Sequence, residues 1–301
     1  MLKRTGCWLV VAVALGWSGA SAQTPDSAGW HTSLVANFQL TQTSYSDSWT
    51  GGEAGSVNWL SNVDGSAERQ LSPKLDFKST LRLKFGQTLT QDEETKKWSK
   101  PQKSTDLIDF ENVARFTLGG VVDPYAAFRL ESQFYDGSVP AKKLYLSPLK
   151  LTQSAGIARE FYKTEDESVI SRLGAAVREI FKRSVVDLET LATEDSTITD
   201  GGLESVTDAT LKLAQNIQYV GKLSLYKALF SSESGREAPV GKPNIGVHWS
   251  SVDVNWENTL TASVSKIVGV SLYTQLLYDK DIEKKARLKE TLGLGFTFNL
   301  I

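Results

Sequence analysis

The sequence predicts an all-β fold, an antiparallel transmembrane β-barrel of the outer-membrane type with about twelve strands. Three observations predict it. Apolar and polar residues alternate with a period of two over stretches of ten or more residues, the ~9 to 11 that a tilted strand needs to cross a bilayer. The connections between these stretches alternate between short and long. The chain ends on TLGLGFTFNLI, which puts Leu292, Leu294, Phe296, Phe298 and Leu300 on one side and Thr291, Gly293, Gly295, Thr297 and Asn299 on the other. A terminal strand with a wholly greasy face suits a sheet closed on itself, where pairing with the first strand near Leu34 to Leu40 leaves no edge.

The chain opens on MLKRTGCWLVVAVALGWSGASAQ. Lys3 and Arg4 form a basic n-region, an apolar run extends from Cys7 to Trp17, and Ala20-Ser21-Ala22 offers a small-residue cleavage site, so residues 1–22 read as a cleaved signal peptide. Residues 23–301 then form a single barrel domain. Cys7, the one cysteine, precedes the apolar run and is badly placed for lipid attachment; its removal leaves no thiol for a disulfide or a metal. Hydrophobic content of 41%, charged content of 23% and a formal net charge of −2 give no reason to expect nucleic acid as a partner. Past residue 22 no apolar stretch approaches the ~20 residues of a transmembrane helix. No cofactor is implied.

The strands follow in order. Leu34, Ala36, Phe38 and Leu40 share a face, as do Leu75, Phe77, Ser79, Leu81, Leu83 and Phe85 opposite Asp76, Lys78, Thr80, Arg82 and Lys84. The same alternation appears from Ile108 to Leu118, Ala126 to Phe134, Tyr219 to Leu229, Val252 to Ala262 and Val268 to Tyr278. Segments near 53–63, 148–163, 167–182 and 204–216 are weaker strands. GGVVDP, KTEDES, AQNIQ and SVSKI are short connections, whereas YSDSWTGGEA, TQDEETKKWSKPQKST, DGSVPAKKLYLS, RSVVDLETLATEDSTITDGG, SSESGREAPVGKPN and DKDIEKKAR are long. A mature chain that starts in the periplasm makes every long connection extracellular. The link NVDGSAERQLSP fits this scheme least well, being longer than a tight turn.

Several segments, in this order, carry a family resemblance: Trp30 followed by SYSDSWTGG, then LRLKFGQT, DLIDFENVARFTLG, FRLESQFYDG, LLYDKDIE and LKETLGLGFTF. Together they resemble the exported family known as domain of unknown function 3078. The resemblance implies an outer-membrane barrel with no assigned activity and supplies no catalytic residues. The ending also resembles the insertion signal of outer-membrane proteins, through Gly293, Gly295, Phe296 and Phe298, although it closes on Ile301 instead of an aromatic residue. It implies outer-membrane lipid and the barrel-assembly machinery as partners, and the outer membrane of a Gram-negative-type bacterium as location.

Parity of the strands assigns a charged lumen: Asp76, Lys78, Arg82 and Lys84; Asp109, Glu111 and Arg115; Arg129 and Glu131; Arg172 and Arg178; Asp208 and Lys212; Asp253 and Glu257. Both signs are present, which suits either a narrow hydrophilic channel for small solutes or a lumen closed by ion pairs. The function expected first is passive or ligand-specific transport of a small hydrophilic solute. The alternative is a closed structural or surface-binding barrel acting through its loops, chiefly 91–105 and 184–203. A third reading, lipid hydrolysis with His248 as base for Ser250 or Ser251, is outweighed by an interfacial imidazole beside Trp249. Asp279, Asp281 and Glu283 have Ca²⁺-like spacing, but Lys280, Lys284 and Lys285 neutralise it and the reading is a solvated loop. WTGGEAG lacks the Lys-Ser/Thr of a phosphate loop and reads as a turn at the barrel mouth, with Trp49 near the interface. No metal site and no enzyme activity are expected.

Overall fold

The computed structural model describes residues 29–45, 54–164, 166–234, 249–280 and 283–300. Strands β1 (His31–Thr43), β2 (Ser56–Ser72), β3 (Leu75–Thr90), β4 (Gln102–Arg115), β5 (Asp123–Ser132), β8 (Leu149–Lys163), β9 (Ser168–Val185), β10 (Thr193–Ala214), β11 (Ile217–Ser231), β12 (Val252–Ser263), β13 (Val268–Asp279) and β14 (Glu283–Asn299) form one closed antiparallel barrel. Each pairs with its neighbour in this order, and β14 returns to β1. The two-residue strands β6 (Tyr135–Asp136) and β7 (Leu144–Tyr145) make a separate hairpin in the connection between β5 and β8.

The alternation seen in the sequence is the alternation of the wall. Outward side chains are apolar and exposed: Leu288, Leu292 and Leu294 keep 72%, 68% and 61% of their surface. Among the described residues no large side chain is fully enclosed. A soluble sheet would hide this face, so the arrangement is that of a membrane barrel, apolar outside and polar within. Polar groups that do face outward find one another. The hydroxyls of Ser171 and Thr207 lie 2.9 Å apart, and Tyr219 Oη donates to Asn258 Oδ1 at 2.7 Å. Near the end with short connections Trp30 meets Phe77 edge to face, with the Arg69 guanidinium over its indole ring.

Three expectations change. NVDGSAERQLSP is strand up to Ser72, and the turn shrinks to Pro73 and Lys74. Its outward positions there include Gly65, Ala67 and Arg69, too small or too polar to reveal the period. The long connection expected over 183–202 is reduced to 186–192, because β9 and β10 continue past the wall as a ladder from Thr193↔Val185 to Thr210↔Ser168. That protruding hairpin is hydrated on both faces, so its residues carry no apolar stripe. Likewise β14 begins at Glu283, inside the segment read as DKDIEKKAR.

The closing ladder differs from the others. β1 pairs with β2 along its whole length, from His31↔Glu68 to Thr43↔Ser56, but with β14 only from Val35↔Asn299 to Gln39↔Gly295. β14 meanwhile continues along β13 as far as Leu277↔Arg287 and Asp279↔Glu283.

Candidate functional site

The lumen holds the chemistry, and two chains of alternating charge cross it. The first begins at Lys150 on β8, which meets Glu131 at 2.5 Å; Glu131 meets Arg129 at 3.0 Å on β5. Arg129 grips Asp109 on β4 with two parallel hydrogen bonds of 2.9 and 3.0 Å. Asp109 is shared with Arg82 on β3, whose Nη1 reaches Glu257 on β12 at 3.3 Å. Four strands lie between β3 and β12 on one side and six on the other, so this last bond is a chord through the barrel. Tyr273 Oη donates to the same Glu257 carboxylate at 3.0 Å, and Lys84 Nζ lies 3.9 Å from it.

The second chain is one inward-facing position nearer the short connections, since Glu111 faces Thr80 while Asp109 faces Arg82. Glu111 on β4 receives Arg172 from β9 at 2.7 Å and Lys222 from β11 at 2.7 Å. Both cations also reach Asp208, at 3.3 and 3.9 Å. The central groups are deeply enclosed, with Asp109 3%, Arg172 5% and Glu257 6% exposed, while Lys150 and Asp208 at the ends of the chains are more open. A charge removed from water in this way is tolerable because each has a partner in hydrogen-bonding contact.

Above these chains one side of the lumen is filled. Arg178 stacks over Tyr226 at 3.5 Å and pairs with Asp253 at 2.9 Å and Asp200 at 3.4 Å, beside Ala176, Ala228 and Trp249. Lower on this wall the Tyr125 hydroxyl occupies the space over Gly174, where a Cβ would collide with it and with the Ala155 carbonyl. Arg172 rests over the Tyr125 ring. The other side stays open. A cavity of about 530 Å³ is bounded by small neutral groups of β1, β13 and β14, among them Asn37, Gln39, Ser271, Thr291 and Thr297. It reaches from the rim at Glu68 and Lys163 up to Lys84, Tyr273 and Lys289.

Of the residues assigned to the lumen by parity, Asp76, Lys78, Arg82, Lys84, Glu111, Arg115, Arg172, Asp208 and Glu257 border this cavity. Asp109, Arg129 and Glu131 lie in the first ion-pair chain behind it, and Arg178 and Asp253 in the filled cluster above the chains. Asp76 and Arg115 pair at the short-connection rim at 3.4 Å, where Arg115 also meets Glu160 at 3.0 Å, and Lys78 pairs with Glu68 at 3.4 Å. Lys212 stands apart at that rim, half exposed and paired with Asp166 at 3.4 Å. On β14 the Phe296 and Phe298 rings face outward, and Gly293 and Gly295 leave the room that the Gln39 side chain takes.

Sequence reasoning omitted Asp64, Glu68, Lys222, Tyr273 and Lys289, all of which border the cavity. Lys222 was legible from the parity of Tyr219 and Leu223, and Lys289 by counting back from Thr291. Asp64 and Glu68 were hidden in the segment read as a link. His248, Trp49 and Asp281 lie outside the described residues. Among the described residues no three His, Cys, Asp or Glu side chains converge as a metal site.

A closed twelve-strand ladder with an apolar exterior and a charged interior defines a barrel of the outer-membrane type. Residues 40–137 match the family described as "Protein of unknown function (DUF3078)", the family whose motifs the sequence resembles. The motifs between Ser44 and Gly137 fall inside the match, and those after residue 275 fall outside it. Among solved structures the chain is similar to the COG4313 outer membrane channel from Pseudomonas putida F1, at 12% identity and TM-score 0.41, over 92% of this chain and 98% of that one. It is also similar to the translocator domain of the autotransporter NalP from Neisseria meningitidis, at 10% identity and TM-score 0.37, over 91% of this chain and 90% of that one. Among curated proteins none matches the sequence. The fold assignment rests on the closed ladder and its two faces.

Proposed function

We propose that the protein is exported by its N-terminal signal, resides in the outer membrane after insertion by the barrel-assembly machinery, and provides a narrow pathway for small hydrophilic solutes without catalysing a reaction. The observation that carries this reading is the manner of closure. Among the described residues the crossing bonds Arg82 to Glu257 and Lys222 to Glu111 join side chains of opposite walls, with no strand or loop backbone between them. Such bonds are exchangeable, because a polar or charged solute arriving in the cavity offers the same guanidinium and carboxylate groups another partner. The mixed signs suit small polar solutes over ions of one charge.

The test is conductance of the folded protein in a planar bilayer, with folding shown by heat-modifiable gel migration. Small or infrequent current steps are expected from the native chain. Neutralising Arg82, Lys84 and Arg115 together is expected to change step size or ion preference; unchanged currents from a folded variant would count against the pathway.

A closed barrel acting through its loops is the second reading. It is favoured by ties that hold the long connections to the wall and to each other: Asp106 on β4 accepts the backbone N–H groups of Phe134 and Tyr135 at 2.6 and 3.1 Å, and Lys142 in the β7-bearing connection donates to the Leu191 carbonyl at 2.6 Å. A silent, folded barrel whose surface binding disappears when residues 91–101 are trimmed would select it.

A further inference from the structure

The short ladder between β1 and β14 is a specific defect. Continuing its register past Gln39↔Gly295 would set Leu40 against Leu294, Thr41 against Gly293 and Thr43 against Thr291, yet the ladder stops there. β1 remains a strand to Thr43 and β14 remains one from Glu283, each held by its other neighbour. Among the described residues the facing edges above Gln39 do not bond to each other. In hydrocarbon an unpaired strand edge is unfavourable, and irregular backbone at membrane depth is tolerated where it borders a cavity.

A cavity is what lies behind this edge. Its wall includes Gln39 on β1 and Lys289, Thr291 and Gly295 on β14. On the outside the gap is flanked by Leu40, Leu292 and Leu294, at least half exposed. On the inside stand two ammonium groups. Lys289 Nζ donates to the neutral Thr105 hydroxyl at 2.8 Å and forms no ion pair among the described residues. Lys84 Nζ sits 4.2 Å from the centre of the Tyr273 ring and 3.9 Å from Glu257, whose carboxylate Arg82 also holds. Apolar flanks on one side of a gap and cations on the other match a molecule with a hydrocarbon chain and an anionic head.

We propose that the β1–β14 seam is a lateral portal between the lumen and the membrane for a single-chain amphiphile with an anionic head, held inside by Lys84 and Lys289 while its acyl chain lies between Leu40 and Leu292. The portal goes beyond the axial pathway and does not require the crossing ion pairs to part. One strand edge on each side admits one chain, and the carboxylate replaces the neutral hydroxyl as partner of Lys289.

The probe is cis-parinarate, a fluorescent fatty acid, titrated into protein expressed with its leader and purified from membranes. Saturable binding is expected. Lys84→Gln with Lys289→Gln is expected to weaken it about tenfold or more, as loss of an enclosed charge pair does, whereas the two Arg replacements retain it and the uncharged methyl ester binds poorly to the native chain. Thr41→Cys with Gly293→Cys, oxidised to a disulfide across the gap and verified by non-reducing gel, is expected to abolish binding until dithiothreitol reopens the seam. Equal affinity for acid and ester, equal binding by the Gln pair, or undiminished binding by the locked seam overturns the portal. Conductance along the axis is a separate readout, so either result can fail while the other stands.

Discussion

The β9–β11 wall and the β13–β14–β1 wall enclose the same lumen and differ in almost every respect. The first is long and continuously paired, from Thr193↔Val185 to Thr210↔Ser168, and its inner face is packed with Arg172, Arg178, Tyr226 and Val206. The second is joined over a short ladder, and its inner face carries Asn37, Gln39, Ser271 and Thr291 with space in front of them. The difference teaches where a barrel can close itself. Large side chains projecting from one wall reach across to β4 and β12, and small ones opposite leave the passage that remains. Charge follows volume, because a guanidinium taken out of water needs a carboxylate partner.

Breaking the packed side should have the largest effect. Glu111→Ala leaves Arg172 and Lys222 with only the half-exposed Asp208 between them, and a loss of about 3 kcal/mol is expected in urea unfolding of the folded protein in lipid, since removing one partner of a buried pair is strongly destabilising. Gln39→Ala on the open side removes one hydrogen bond to Ser271, and about 1 kcal/mol is expected. Equal losses would erase the comparison.

Adding volume sharpens it from the other direction. Ala176→Leu must displace Tyr226 and Trp249 and should cost about 1 to 3 kcal/mol by overpacking. Ser271→Leu projects into the cavity and should cost less while reducing any conductance. The readouts are the same unfolding curve and the bilayer current.

The smallest effect lies outside both walls, in the connection between β3 and β4. Asp92 accepts the backbone N–H and the hydroxyl of Thr95, each at 2.7 Å, and the backbone bond first, then the hydroxyl, holds its carboxyl below the ordinary carboxylate value of 3.8. A lowered folded value means that the contribution is complete above 3.8 and is lost as pH falls through the lowered value. Protection of the Thr95 amide, its exchange rate relative to the intrinsic rate at each pH, should therefore hold from neutral pH down to that value and fall below it, and Asp92→Asn should flatten the dependence. The barrel ladders should not respond.

How far these features were legible depends on what each strand faces. From Leu75 to Phe85 both faces are strongly typed, so strand, phase and inward residues could all be read from the chain. From Asn62 to Ser72 three successive outward positions are Gly65, Ala67 and Arg69, which interrupt the apolar stripe after Val63 and hide the strand along with Asp64 and Glu68. The β9–β10 hairpin beyond the wall is wet on both faces and carries no period at all. In a membrane barrel it is the lipid that writes the pattern, so a strand is visible only where lipid touches it.

The sequence by itself determined the class of fold, the phase of its best strands and the presence of both charges inside, because the period of two is a local property of the pleated chain. It also held the closing pair, since a greasy terminal strand requires a partner. Only the tertiary structure decided that Arg82 meets Glu257 and Lys222 meets Glu111, that one wall is packed and the other open, and that the seam stops at Gln39. Those facts depend on which residues stand opposite across a closed ring, a distance fixed by strand number and stagger and carried by no single segment.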